Sequence, residues 1–92
     1  MSDYEWLESN GYARTKSSKS ATTFSKSHQE TVVVTLTNYK KPASPSEAWM
    51  CSVSIGVELS SAHGPTFRHA LSVATMEAKS RIARIHECVN QL

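Results

Sequence analysis

The side chains that could do chemistry in this chain are four histidines, His28, His63, His69 and His86, two cysteines, Cys51 and Cys88, and eight scattered carboxylates. A zinc site needs ligands at short, converging spacings such as C-x2-C or H-x3-H. His63 and His69 straddle what reads as a loop-to-helix junction, and His86 and Cys88 sit two residues apart on a helix. At about 100° per residue those last two point about 200° apart and do not converge on an ion. Nucleophilic catalysis has no better footing. The serines form no G-x-S-x-G elbow, and Cys51 alternates with core residues, where a thiol is filler rather than a thiolate. Gly56 and Gly64 stand alone, so no glycine loop cradles a phosphate. We therefore expect no catalytic, metal-ligating or cofactor-binding residue, no cofactor, and a protein that is not an enzyme.

Charge is the remaining chemical signal. Between Gly11 and Lys41 six basic residues, Arg14, Lys16, Lys19, Lys26, Lys40 and Lys41, face one acid, Glu30, a local net charge of +5 inside a chain of net charge +2. Such clustering steers a protein toward phosphates or an acidic protein surface. On the last stretch, helical geometry gathers Arg68, Lys79 and His86 on one flank. The candidate partner- or nucleic-acid-binding residues are thus Arg14, Lys16, Lys19, Lys26, Lys40, Lys41, Arg68 and Lys79. Val73 and Met76, opposite the apolar stripe of that helix, are a candidate self-association patch.

The elements that must hold these residues follow from hydrophobic patterning. Phe67, Leu71, Ala74, Ala78, Ile82, Ile85 and Val89 recur at spacings of three and four, which predicts one long amphipathic helix over 65–89 with a seven-residue seam. Glu77 and Arg81 on its flank read as an ion pair. Its apolar face needs a sheet, and two alternating stretches offer one. Val32, Val34 and Leu36 share a face within Glu30 to Asn38. Trp49, Cys51, Val53, Ile55, Val57 and Leu59 share a face of what reads as a single eleven-residue strand ending at Ser60 to Pro65. Ala21 to Ser25 is a weaker strand turned back by Lys26 to Gln29. Arg14 to Ser20 reads as a mobile loop, and Tyr39 to Ala48, with Pro42 and Pro45, as an exposed one. Ser2 with Glu5 forms a capping box and Asn10-Gly11 a stop, enclosing a short helix that must dock by Tyr4 and Trp6. The expected fold is α+β, a three-stranded antiparallel meander with a short N-terminal helix and a long C-terminal helix packed on one face (αβββα).

Ninety-two residues with 39% hydrophobic content suit one domain, 1–92, of the soluble globular class. No run approaches the roughly 18 apolar residues of a membrane span. The acidic Met1 to Glu5 is unlike a signal peptide, so a cytoplasmic location is expected. Both cysteines are expected as reduced thiols in or near the core.

The order helix–strand–strand–strand–helix resembles the double-stranded-RNA-binding domain, whose last helix meets phosphates with its basic N-terminal end. The corresponding stretch here is Gly64-Pro65-Thr66-Phe67-Arg68-His69, without that family's lysine cluster. In size and layout the chain also resembles the small phage-encoded inhibitor proteins of the anti-CRISPR kind. That second resemblance implies a non-enzymatic binding protein of a phage or mobile element, one that sterically blocks a host protein or ribonucleoprotein complex such as a CRISPR effector. The first implies the alternative, a basic RNA- or DNA-binding domain. The expected partners are accordingly a larger protein or ribonucleoprotein complex, with nucleic acid reached through the basic loops, and no membrane.

Overall fold

In the computed structural model, which describes residues 2–28 and 31–92, the Ser2 hydroxyl accepts the Glu5 N–H at 3.2 Å and opens α1 (Asp3–Ser9). The helix closes where the Gly11 N–H donates to the Glu8 carbonyl and the Tyr12 N–H to the Leu7 carbonyl, with Gly11 at φ 90°. That bond pair is a Schellman closure, and its usual apolar contact is present because Leu7 and Tyr12 are both buried. The Ser2 hydroxyl cap and the Asn10-Gly11 stop thus lie where the residue types place them.

Five strands follow, β1 (Ala13–Ser17), β2 (Ala21–His28), β3 (Val32–Tyr39), β4 (Trp49–Ile55) and β5 (Val57–Gly64), and α2 (Phe67–Asn90) completes the chain. They form an antiparallel meander in chain order. The fold is α+β, but the sheet has five strands where three were expected, for two separate reasons.

The stretch expected as a mobile loop is largely β1, paired with β2 so that Arg14 lies opposite Phe24 and Ser17 opposite Thr22. Every residue of β1 is exposed, so it carries no apolar alternation. Backbone bonds to β2 hold it at the sheet edge, and composition is silent about those. β2 also runs longer than expected. Lys26, Ser27 and His28 do not turn the chain but pair with Val34, Val33 and Val32. Gln29 and Glu30, expected in the turn and at the start of the next strand, lie outside the described residues.

The expected eleven-residue strand is two strands. The chain reverses at Gly56, φ 72°, and Ile55 pairs with Val57. Cross-strand partners share a face just as alternate residues of one strand do, so a tight hairpin preserves the period-two pattern and hides in it. Val53 pairs with Ser60 but Ser54 with Glu58, which leaves Leu59 as the extra residue of a bulge. Ser60 to Gly64, expected as loop, finishes β5 beside β4, with Gly64 opposite Trp49.

One face of the sheet carries the core: Phe24, Val34, Leu36, Trp49, Cys51 and Val53. Both helices lie on that face. The Tyr4 ring meets Phe24 edge-on with centroids 5.0 Å apart, Trp6 lies 5.2 Å from Phe67, and the Tyr4 hydroxyl donates to Asn38 Oδ1 at 2.8 Å. The short helix is thus docked by its aromatics, as its marginal length requires.

Thr66 Oγ1 accepts the His69 N–H at 3.2 Å and settles the start of α2. Phe67, Ala70, Ala74 and Ala78 are buried, and the small side chains let the helix backbone come close enough for the Ser60 hydroxyl to reach the Ala74 carbonyl at 2.7 Å. The seam is correct in phase but shorter than expected, because Ile85 and Val89 are 54% and 59% exposed. A 24-residue helix spans about 36 Å. An eight-residue strand spans only about 27 Å, so the sheet ends before the helix does. Two smaller expectations also change. Arg81 donates to the Leu59 carbonyl rather than pairing with Glu77, and the ion pair found among the described residues is Arg14–Glu8 at 3.0 Å. Cys88 is exposed, whereas Cys51 is buried.

The close approach at the start of α2 makes Gly64 sensitive. A Cβ there would lie 2.6 Å from the His69 ring and 3.0 Å from the Ala70 backbone nitrogen. Gly64→Ala is expected to cost about 1–2 kcal/mol in urea unfolding, since the ring can swing away but the backbone must shift. Unchanged stability would show that the helix start has room to move.

Candidate functional site

The eight basic residues singled out by charge do not form one patch. Arg14, on the core side of β1, pairs with Glu8 and packs its guanidinium 5.2 Å from the Tyr4 ring and 5.5 Å from that of Phe24. Lys26 Nζ donates to the Asn10 carbonyl at 2.8 Å and lies 5.5 Å from the Tyr12 ring. Both therefore fasten α1 and its exit to the sheet. Arg68 lies 4.7 Å over Trp6 and 5.1 Å from Phe67, joining α1 to the start of α2, so the position that resembles the RNA-binding helix end is held by aromatic rings. Lys79 stands exposed on α2, where it lines a groove with Tyr12 and His28.

The remaining four are nearer one another. Lys40 Nζ donates to the Ser18 carbonyl at 2.7 Å, and the Lys40 N–H donates to the Ser20 carbonyl at 2.9 Å, so Lys40 clasps the β1–β2 turn that presents Lys19. Lys41 follows directly and lines a 230 Å³ notch with Tyr39, Glu47 and His63. Lys16, opposite Thr23 in the register, belongs to the sheet face away from both helices.

That second face is the feature that charge alone does not reveal. Register places Lys16, Thr23, Thr37, Met50 and His63 in one row across the five strands, and Ala13, Ser25, Thr35, Ser52 and Ser61 in the next. Hydroxyls meet across the strands, Thr23 with Thr37 and Ser25 with Thr35, each at 3.3 Å. Neither helix packs on this face; it is a largely polar surface, half-buried across its middle with Thr37 buried, and Lys16, Lys19 and Lys41 stand exposed around it. The recurring Ser and Thr between apolar residues of β3 and β4 is the sequence signal that marks it. Flat polar sheet faces of this kind suit contact with a macromolecule rather than enclosure of a small one.

Among the described residues, His, Cys, Asp and Glu are not gathered into a metal-holding group. Burial pushes the Cys51 thiol up from an ordinary value near 9.0 to about 11, so it stays protonated at neutral pH. The Tyr12 phenol is raised above 10.0 by burial and then by the neighbouring Cys51. No helix among the described residues is long and apolar enough to cross a membrane.

Fold and surface together define a two-layer α+β protein, a five-stranded antiparallel meander with both helices on one face and a polar, lysine-rimmed second face open. Comparison of the chain with protein-family models, with curated proteins and with solved structures finds no match.

Proposed function

We propose that this protein is a non-enzymatic binding protein, a small phage or mobile-element inhibitor that acts in the cytoplasm by sterically blocking a host protein or ribonucleoprotein complex such as a CRISPR effector. The observation that carries the reading is the uncovered hydroxyl face with its lysine rim: a flat, hydrogen-bonding surface with positive charge at one end matches a partner surface that is polar and acidic. Pull-down of the tagged protein from host extract, with and without nuclease, tests it. A stoichiometric protein partner is expected in both arms, lost when Lys16 and Thr35 are both changed to Glu. Recovery of no stoichiometric partner, or a partner indifferent to those changes, sinks the reading.

The alternative is direct RNA or DNA binding, and it has one observation of its own. Lys16, Lys19 and Lys41 are exposed toward the end of the sheet where β1 turns into β2 and β3 finishes, whereas Lys26 and Lys40 spend their ammonium groups on backbone carbonyls. If the protein binds duplex DNA, each lost phosphate contact lowers the slope of log affinity against log salt by about 0.9. Alanine at Lys16, Lys19 and Lys41 is then expected to flatten the slope, and alanine at Lys26 and Lys40 to leave it nearly unchanged. Absence of binding at low salt removes this alternative.

A further inference from the structure

The end of the molecule away from the β1–β2 turn is apolar. Beyond Ala78 the stripe of α2 continues in phase through Ile82, Ile85 and Val89 with less and less sheet beneath it. Ile82 stands between two apolar grooves. On one side a space of 390 Å³ is lined by Val32, Val34, Val53 and Leu71, and on the other a space of 320 Å³ is lined by Ile55, Val57, Leu59 and Ile85. At the hairpin tip Ile55 is 37% and Val57 70% exposed. Of the large apolar side chains standing exposed among the described residues, all but Met76 belong to the hairpin tip or to the last two turns of α2 and its end.

We infer that this end of α2 and the β4–β5 hairpin dock on a second copy of the same chain, α2 crossing α2 about a two-fold axis. The surface presents an apolar ridge, Ile82 to Val89, beside two apolar grooves, the two halves of a self-complementary contact. A two-fold lets each copy insert its ridge and receive the other's. The areas agree with this occupant. The chain exposes 6194 Å², whereas a monomer of 10.2 kDa is expected to expose about 5300 Å². The excess of roughly 900 Å² is close to the ~800 Å² per partner of a standard stable interface. The shape agrees too: the radius of gyration is 14.3 Å and the long axis 48 Å, against about 12 Å expected for a globular chain of this length. This inference goes beyond the inhibitor reading and stands without it, since the hydroxyl face lies on the opposite side of the sheet.

Light scattering on the full chain at high micromolar concentration tests it. A molar mass near twice 10.2 kDa is expected. Ile85→Glu and Val89→Glu, each made separately at a position already more than half exposed, are expected to return single-chain mass with an unchanged far-ultraviolet spectrum. Met76→Glu, 67% exposed on the other side of α2, is expected to leave the dimer intact. Single-chain mass for the unaltered protein overturns the inference and leaves the grooves to a different partner. A dimer that survives Ile85→Glu and Val89→Glu, or that is broken by Met76→Glu instead, overturns it as well by placing the contact elsewhere.

Discussion

Phe24→Ala is expected to lower the unfolding free energy by about 3–5 kcal/mol, among the largest losses of any single side-chain truncation in this protein. Phe24 has no exposed surface, and its ring is the meeting point of three elements. It faces Leu36 across the β2–β3 register, takes the Tyr4 edge of α1 at 5.0 Å, and has the Arg14 guanidinium of β1 5.5 Å away. Removing it empties a space that rigid neighbours on a five-stranded sheet cannot close, so the cavity cost adds to the lost transfer energy. It also removes the surface on which α1 docks, and a seven-residue helix does not persist without one. Against the 5–15 kcal/mol typical of a whole domain, the expected loss is a large fraction. Urea unfolding followed by tryptophan fluorescence measures it, because Trp6 and Trp49 both report on this region. A loss under about 1 kcal/mol would mean that the α1 side of the core repacks freely, contrary to the cavity argument.

Alkaline instability is the second large effect, and it comes from one thiol. Cys51 lies between Leu36 and Ala62 in the register and has no exposed surface. Burial holds its ionisation near pH 11, while in the unfolded chain the thiol ionises near 9.0. Below pH 9 both states keep the proton and the stabilisation is complete. Between 9 and 11 the unfolded chain gives up the proton and the folded chain does not, so stability falls as pH rises. At about 1.4 kcal/mol per pH unit, the loss by pH 11 is roughly 2–3 kcal/mol. Tyr12, shifted in the same direction by burial and then by Cys51, adds to the slope above pH 10. Cys51→Ala is expected to give up some stability at pH 7 through its smaller volume and to show a shallower decline above pH 9. Equal slopes for the two proteins would place the alkaline transition elsewhere. Thiol labelling offers an independent check: exposed Cys88 should react at once at neutral pH, and Cys51 only at the rate of unfolding.

Residues whose signal is local were legible: the Ser2 cap, the Asn10-Gly11 stop, the core face of β3 and the phase of α2 all appear where spacing and residue type put them. Residues whose placement depends on a neighbouring strand were not. β1 has only polar side chains and exists through the backbone bonds it shares with β2. The β4–β5 hairpin copies the alternation of a single strand, so only the reversal at Gly56 separates the two readings. The basic residues were read as one charged cluster, and that two of them are occupied was not legible, because the carbonyls that hold Lys26 and Lys40 come from residues 16 and 22 positions away.

From its sequence alone, then, this protein was bound to be an α+β chain with a long amphipathic C-terminal helix, its two clearest β segments amphipathic in the stated phase, because hydrophobic periodicity and end caps act over a few residues. The number of strands, the polar sheet face left open, the lysines that remain available and the apolar end left uncovered were decided only in three dimensions. The physical reason is that each depends on how far one element extends relative to another it touches, and a chain records spacing along itself but not where its neighbours stop.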